Sequence, residues 1–310
     1  MIIVIGCLIL IFTCILALFM VYDACFSGNP KYMGDERSLP EGEQYEPYLD
    51  VITRCVDKVL EDSYEKIEIE SFDGLKLAGK YYHRKAGAPL ILFFHGYRCN
   101  SLRDGNGIFL YSKTLNYNIL LVDQRVHGLS EGKTITFGIN ERHDVLSWVD
   151  YVRKRFSGEQ KIILAGLSMG AATVLMTANM QLPANVKGIL ADCPYSSPKA
   201  ILKSVIKSMH YPVGIVYFLA KLGAKWIGGF DVEETSAVEA IADSDIPILI
   251  IHGDDDRFVP CNMSRECQRA GKDHVELVVI DGAAHGLSHC VDAKKYEEAV
   301  RRFLLRTVGE

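Results

Sequence analysis

The stretch KIILAGLSMGAATVLMTA, residues 161–178, carries the strongest structural signal in this chain of 310 residues. An apolar run leads into GLSMG at 166–170, and a helix-forming run follows it. A G-x-S-x-G motif between a strand and a helix makes a sharp turn that exposes the serine hydroxyl, and its glycines allow close backbone approach. The pattern predicts Ser168 as a nucleophile, with an ordinary tight turn as the alternative.

A base and an acid that could activate this serine follow later in the chain, at the ends of two further apolar runs. A serine hydroxyl needs a neighbouring base, and His285 in GAAHG (282–286) is the candidate, with a surface loop histidine as the alternative. An aspartate must orient the imidazole, and Asp254, Asp255 and Asp256 follow the run PILIIHG. The chain order serine, aspartate, histidine is the one this arrangement requires.

Metal binding is the competing interpretation of these polar residues. His285 and His289 are four residues apart, but no third ligand of suitable spacing stands out, so no metal is predicted. A cation site on the three aspartates is the other alternative. His95 and His252 each precede a glycine at a strand end, and we expect them to brace loops rather than transfer protons.

Stabilising a tetrahedral intermediate requires two hydrogen-bond donors. The backbone N–H of Met169 follows the nucleophile, and the second donor is expected in the loop after FFHG (93–96). The N–H of Tyr97 is the natural choice, although a plain strand-exit turn would have the same sequence. These two groups form the predicted oxyanion hole.

Short aliphatic runs alternate with helical patterns over the rest of the chain. A hairpin is predicted around Asp73-Gly74, and helices are predicted at about 140–156, 169–181, 261–271 and 288–306. This succession predicts an α/β fold with an open, mostly parallel sheet and helices on both faces. The predicted strands are KIEIES (66–71), LKLAGKYY (75–82), PLILFFHG (89–96), NILLVDQR (118–125), KIILAGLS (161–168), VKGILADC (186–193), PILIIHGD (247–254) and VELVVIDG (275–282).

An apolar, helical stretch at about 196–235 interrupts this alternation, and we interpret it as a cap over the carboxyl edge of the sheet. Lys199, Lys203 and Lys207 are four residues apart, so they share one face of a helix. That face is either a solvated surface or one that meets anionic headgroups or an acidic substrate.

Residues 2–22 are uncharged and long enough, at about 31 Å as a helix, to cross a bilayer core of about 30 Å. A transmembrane anchor at 1–22 is therefore predicted, with a cleaved signal as the alternative. An acidic, proline-containing stalk and lead-in is predicted at 23–60, with a helix at about 49–60, and the main domain is predicted at 61–310.

The side of the membrane is indicated by two conflicting observations. Residues 23–50 hold only two basic residues, Lys31 and Arg37, which favours an extracytoplasmic domain. The seven cysteines beyond the span are irregularly spaced and resemble reduced thiols, which favours the cytosolic side or an anaerobic source. We predict the extracytoplasmic side. The net charge of −5 argues against a nucleic-acid partner.

Five motifs together resemble the α/β-hydrolase superfamily: FFHGYRCN, VDQRVHGLSEG, GLSMGAA, IHGDDDRFVP and GAAHG. Within this superfamily the chain resembles membrane-anchored bacterial serine hydrolases, which in turn resemble the catalytic domain of prolyl oligopeptidases. Over about residues 60–306 the resemblance implies an eight-stranded sheet, no cofactor, and a triad of Ser168, Asp256 and His285. Asp256 matches the HG-x-x-D-x-x-V-P spacing of relatives, whereas Val126 stands where many of them have glycine.

A serine hydrolase acting on a small-molecule acyl ester is the function these observations predict, with a carboxylesterase as the most direct form. An ester is the easiest acyl donor because alkoxide leaves more readily than amine. A serine peptidase or aminoacyl hydrolase is the first alternative, although no gating domain is expected in the 60 residues before the sheet. A non-catalytic binding module on a membrane tether is the second.

Overall fold

A computed structural model describes residues 2–28 and 37–309, and eight strands form its single sheet. The strand order is β1-β2-β4-β3-β5-β6-β7-β8. β1 pairs with β2 and β2 with β4 in antiparallel fashion, and all other neighbours are parallel. The strands are β1 (Glu65–Glu70), β2 (Lys76–Tyr82), β3 (Leu90–Phe94), β4 (Asn118–Val122), β5 (Ile162–Leu167), β6 (Val186–Asp192), β7 (Ile248–Gly253) and β8 (Val275–Ile280).

All eight predicted strands and the predicted hairpin are confirmed. The hairpin turns at Gly74, whose φ of 86° lies in the left-handed region that glycine adopts without strain. The central strands β3 to β7 are buried on both faces, as parallel strands covered by helices must be. Their carboxyl ends share one edge, which is where a site is expected in such a sheet.

Helices cover both faces of the sheet, and alternate side chains of each strand point into two separate apolar cores. Leu92 of β3 points to one core and Phe93 to the other. The described helices are α1 (Ile2–Phe26), α2 (Leu49–Leu60), α3 (Ser101–Leu115), α4 (Glu141–Arg155), α5 (Met169–Leu175), α6 (Pro198–Ser208), α7 (Val213–Trp226), α8 (Ala237–Ala242), α9 (Asn262–Gly271), α10 (Ser288–Val291) and α11 (Ala293–Val308). Helices α4 to α9 contribute to the first core, and α2, α3 and α11 to the second.

The helix α3 is absent from the sequence-based prediction, because its two glycines obscure the helical pattern. Both glycines serve packing: a Cβ on Gly105 would lie 2.9 Å from Leu121, and one on Gly107 would lie 3.0 Å from His289. The predicted helix at 169–181 ends at Leu175 and continues as turns. The predicted helix at 288–306 is two helices, separated at Asp292, whose side chain accepts a hydrogen bond from the Lys295 N–H.

The predicted cap contains two helices, α6 and α7, and two of its lysines contact other groups of the cap. Lys199 lies 2.9 Å from a carboxylate oxygen of Glu233, and Lys203 lies 4.8 Å above the ring of Tyr217. In the predicted stalk, the helix at 49–60 is confirmed as α2, which packs against α3. Residues 29–36 of that segment lie outside the described residues.

The loop after β4 has the shape that glycine would give it, although Val126 occupies the position. Val126 has a φ of 73°, which is strained for a β-branched residue. Its N–H donates to the Glu131 carbonyl at 2.8 Å, and this hydrogen bond within the loop holds it closed. A Cβ on Gly128 would overlap the Asp123 carboxylate at 2.3 Å, which makes glycine obligatory there.

Replacing Val126 with glycine tests this strain. Left-handed backbone costs a non-glycine residue about 1–2 kcal/mol, so relief of that strain offsets the loss of a half-buried side chain. We expect Val126→Gly to change the free energy of unfolding by less than about 1 kcal/mol. Val205→Gly, at a half-buried position in α6, gains no such relief and should cost about 2 kcal/mol or more. Urea unfolding of the detergent-solubilised variants measures both, and equal losses would contradict the strain.

Candidate active site

Ser168 occupies the turn between β5 and α5 in a conformation that only close backbone packing maintains. Its φ and ψ are 55° and −114°, a strained combination for any residue other than glycine. A Cβ on Gly170 would lie 2.0 Å from the carbonyl oxygen of Phe94, and one on Gly166 would lie 2.4 Å from the Gly170 backbone. Both glycines of the motif are therefore required, because backbone from three segments meets at the serine.

Ser168, His285 and Asp256 lie in one hydrogen-bonded chain at the carboxyl edge of the sheet. The Ser168 Oγ lies 2.9 Å from His285 Nε2, and His285 Nδ1 lies 2.6 Å from Asp256 Oδ2. The three side chains follow β5, β8 and β7, respectively, and each residue is at most 9% exposed. The three residues predicted to form a triad thus lie together.

The Asp256 carboxylate is fully used by hydrogen bonds. Its Oδ1 accepts the N–H groups of Phe258 and Val259 at 2.9 and 2.8 Å, and His252 Nε2 lies 3.1 Å from Oδ2. Burial alone would raise the pKa of Asp256, but the adjacent His285 and His252 outweigh burial and hold this pKa well below its usual range. Asp256 is therefore a carboxylate at any pH near neutral.

His252 braces the loop after β7, which carries Asp256, as the sequence predicts. It also contacts the Asp256 carboxylate, which no sequence pattern indicates. Its Nε2 lies between two acceptors, Asp256 Oδ2 and the Val259 carbonyl, so this nitrogen carries the hydrogen. Its Nδ1 then accepts the Ser264 hydroxyl at 2.6 Å. His252 and His285 thus both contact Oδ2 of the Asp256 carboxylate.

The two neighbouring aspartates have other partners. Asp254 Oδ1 accepts the Gly282 N–H at 2.6 Å and joins the loops after β7 and β8. Asp255 is exposed and lies 3.1 Å from Arg257. Among the described residues, the one group of three with metal-ligand spacing is Cys193, Asp256 and His285. Burial raises the pKa of the Cys193 thiol well above its usual range, so this sulfur is protonated and a poor ligand.

The loop predicted to supply an oxyanion donor lies against the serine. A Cβ on Gly96 would come within 3.3 Å of the Ser168 Cβ, so the chain at Tyr97 borders the nucleophile. Within residues 2–28 and 37–309, the backbone N–H groups of Tyr97 and Met169 donate to no protein acceptor. Two donors beside the serine are thus free to bind an oxygen atom.

Two buried histidines fix this loop. His95 accepts the Gln124 N–H on Nε2 and faces the Gly96 carbonyl with Nδ1, which confirms that it braces the loop. His127 accepts the Arg98 N–H on Nε2 at 3.0 Å. Burial lowers the pKa of His95, and it lowers the pKa of His127 to about 3, so both rings are neutral.

The end of α1 packs directly on the same loop, a contact that no sequence pattern indicated. The Tyr97 hydroxyl donates to the Cys25 carbonyl at 2.9 Å, and Arg98 Nη2 donates to the Ser27 carbonyl at 2.8 Å. Phe26 is fully buried. Arg98 therefore satisfies a carbonyl at the C-terminal end of α1, where carbonyls lack helical partners.

A cavity of about 470 Å³ opens at the serine and extends between the sheet edge, α2 and α3. Ser168 and His285 lie on its wall, together with apolar side chains of several elements: Leu39, Ile52, Phe93, Ile108, Leu190 and Leu287. The segment at 39–45, which the sequence analysis assigned to a stalk, contributes Leu39, Pro40 and Tyr45 to this wall. Its polar composition gave no indication of that role.

The sheet, the serine turn and the helical insertion define a serine hydrolase of the α/β-hydrolase fold. Residues 134–310 match the model of the prolyl oligopeptidase family, and the chain belongs to that family.

Several known proteins are similar to this chain in sequence or in structure. Uncharacterized protein YqkD of Bacillus subtilis (strain 168) is 26% identical over 82% of this chain and 86% of its own length. Lysophosphatidylserine lipase ABHD12 of Rattus norvegicus is 24% identical over 57% of this chain and 44% of its own. The Pyrococcus furiosus esterase Pf2001 has a similar structure, with a TM-score of 0.66, 24% identity, and coverage of 81% of this chain and 95% of its own.

Asp192, at the end of β6, makes stability depend on pH in a way that one substitution can reveal. Burial raises its pKa to about 6, partly opposed by His252 and His285. Because the folded pKa lies above the unfolded value, stability is lost as pH rises through about 6.

As pH rises from about 5 to about 8, the free energy of unfolding of Asp192→Asn should therefore increase by about 1–2 kcal/mol relative to that of the unmodified chain. Asp144 also has a pKa raised to about 6 by burial, but it is present in both proteins and cancels in the comparison. Thermal unfolding at both pH values measures the difference. Parallel pH profiles for the two proteins would show that Asp192 does not carry this dependence.

Proposed function

We propose that this hydrolase cleaves acyl esters through an acyl-enzyme on Ser168, which makes it a carboxylesterase. The observation that carries the proposal is the hydrogen-bonded chain Ser168–His285–Asp256 opening into an apolar cavity of about 470 Å³. A serine with a base at 2.9 Å and an acid behind that base is the arrangement that activates a hydroxyl.

In the acylation step, His285 Nε2 takes the hydroxyl proton while Ser168 Oγ forms a bond to the acyl carbon. Asp256 holds the Nδ1–H of the imidazole and stabilises its cationic form. The carbonyl oxygen becomes negative and accepts hydrogen bonds from the N–H groups of Tyr97 and Met169. His285 Nε2–H then protonates the leaving alkoxide oxygen as the carbon–oxygen bond breaks.

Deacylation repeats these steps with water as the nucleophile. His285 Nε2 takes a proton from the water, whose oxygen attacks the acyl carbon. The Ser168 Oγ leaves and recovers the proton from His285, which releases the carboxylic acid and restores the starting state. No metal and no cofactor is part of this proposal.

An ester substrate is supported by the cavity and by the chemistry of the leaving group. Apolar side chains such as Leu190 and Leu287 suit an acyl chain, and alkoxide leaves more readily than amine. Two of the similar proteins are named an esterase and a lysophosphatidylserine lipase. The family name favours the alternative of a peptidase or aminoacyl hydrolase.

Replacing Ser168 with alanine should abolish turnover and leave the fold intact, because the nucleophile is lost without a change in packing. We expect kcat to fall by about 10⁴–10⁶-fold on nitrophenyl esters. A panel of chain lengths, run beside aminoacyl and peptide substrates, distinguishes an esterase from a peptidase.

Ser208→Ala is the matched control, since this exposed serine donates only to the Val205 carbonyl. A fluorophosphonate probe should label the unmodified chain and Ser208→Ala but not Ser168→Ala. Activity retained by Ser168→Ala would rule out the nucleophile, and absence of both labelling and turnover in the unmodified chain would favour a binding module.

The three adjacent aspartates allow a matched test of the acid. Asp256→Asn keeps the shape but favours the wrong imidazole tautomer, so kcat should fall by about 10⁴-fold. Asp255→Asn should be near neutral, because its exposed ion pair contributes little. Asp254→Asn should lower the melting temperature more than kcat. Measuring kcat and Tm for all three variants tests which aspartate is the triad acid. An active Asp256→Asn would show that the acid is another residue.

A further inference from the structure

The second cap helix, α7, has an apolar face that the rest of the domain leaves uncovered. Ile215, Phe218 and Trp226 are 64%, 59% and 73% exposed, and they lie on one face because their spacings are three and eight residues. Met209 and Tyr211, in the turn that precedes α7, are exposed apolar side chains as well. We call these five residues the apolar cap surface.

The opposite face of α7 packs along the end of α1. A Cβ on Gly223 would come within 3.1 Å of the Tyr22 Cβ, so the two helices approach closely at this glycine. Ala220 and Ala224, on the same face, are fully buried. On α1, side chains are exposed up to Leu16, and contact begins at Ala17.

The length of the free part of α1 determines where a bilayer must lie. Residues 3–16 span about 21 Å as a helix, which is too short for a hydrocarbon core of about 30 Å. To cross the core, α1 must be submerged for about 20 residues, to the level of Tyr22. Gly223 of α7 lies against Tyr22, so α7 is at the depth of the membrane boundary.

The composition of the apolar cap surface and its edges fits this position. Tyr and Trp are enriched at membrane–water boundaries, and lysine stems reach from there to the headgroups. Tyr211 and Trp226 supply the aromatic rings, while Lys207 and Lys225 are exposed beside them. By contrast, Lys199 pairs with Glu233 and Lys203 lies over Tyr217, so these two belong to the cap itself.

We propose that the apolar cap surface is a membrane contact, lying in the interfacial layer of the leaflet from which α1 emerges. The partner is the lipid bilayer, entered by α7 beside the anchor. The inference requires that α1 is retained in the protein, and it is independent of the chemistry assigned to Ser168. Retention is supported by the burial of Phe26 and by the hydrogen bonds from Tyr97 and Arg98 to the end of α1.

Tryptophan fluorescence provides a direct test, because the chain has two tryptophans and Trp148 is fully buried. The full chain is reconstituted in vesicles of phosphatidylcholine and phosphatidylglycerol that contain a lipid brominated near the carboxyl end of its acyl chain. We expect strong quenching and a blue-shifted emission from Trp226, and loss of the quenchable component in Trp226→Phe. Lipid brominated near the methyl terminus should quench less.

Matched charge substitutions separate a specific contact from mere proximity. Ile215→Glu with Phe218→Glu should abolish the quenching of Trp226, because carboxylates oppose insertion of this face. Leu129→Glu, at a 62% exposed position outside the cap, should leave the quenching unchanged. Circular dichroism in detergent verifies that each variant is folded.

Three results would overturn the inference. The first is Trp226 emission that brominated lipid does not quench and aqueous iodide does. The second is quenching that survives the double glutamate substitution in a folded protein. The third is a purified protein whose mass shows removal of the apolar segment. Ester hydrolysis in detergent is measured separately, so loss of the membrane contact is distinguishable from loss of activity.

Discussion

Backbone crowding at Ser168 is the constraint on which the rest of the site depends. The strand β3, the turn and the start of α5 come so close that Gly166 and Gly170 have no room for a side chain. The strained φ and ψ of Ser168 are sustained by this packing, and not by the preference of serine. The same contact brings the loop at Gly96 and Tyr97 beside the hydroxyl, so the proposed nucleophile and the proposed oxyanion donors lie together.

The Asp256 carboxylate connects the second half of the site. One of its oxygens accepts hydrogen bonds from two backbone N–H groups, and the other contacts two imidazole rings. These contacts fix both the position and the charge of the carboxylate. Asp254 serves a different purpose, since it ties the loop after β7 to the loop that carries His285. Three adjacent residues of one type thus have three different environments, which follow from the turn that begins at Gly253.

The sequence predicts what local patterns encode and misses what packing between distant segments decides. Buried strands appear as short aliphatic runs, and the serine, aspartate and histidine motifs follow three of them. The sheet and the candidate site can therefore be predicted from the sequence. Helix α3 was missed because Gly105 and Gly107 are dictated by neighbours in β3, β4 and α10, and not by helix preference.

Other features cannot be predicted from the sequence for the same reason. The wall formed at 39–45 and the brace from His252 depend on contacts with residues far along the chain. A valine at position 126 does not predict a left-handed backbone conformation. The hydrogen bonds of the loop nevertheless impose that conformation.

In the proposed membrane arrangement, the hydrogen bonds from Arg98 and Tyr97 to the end of α1 restrict how the domain can move relative to the bilayer. A domain on a flexible linker tumbles, and its cavity faces the membrane only part of the time. In the proposed arrangement the domain would diffuse in the plane of the membrane and rotate about its normal, but it would not tilt independently of α1. The height of the cavity mouth above the bilayer would then be a fixed dimension of the molecule, as much a part of its architecture as a strand register.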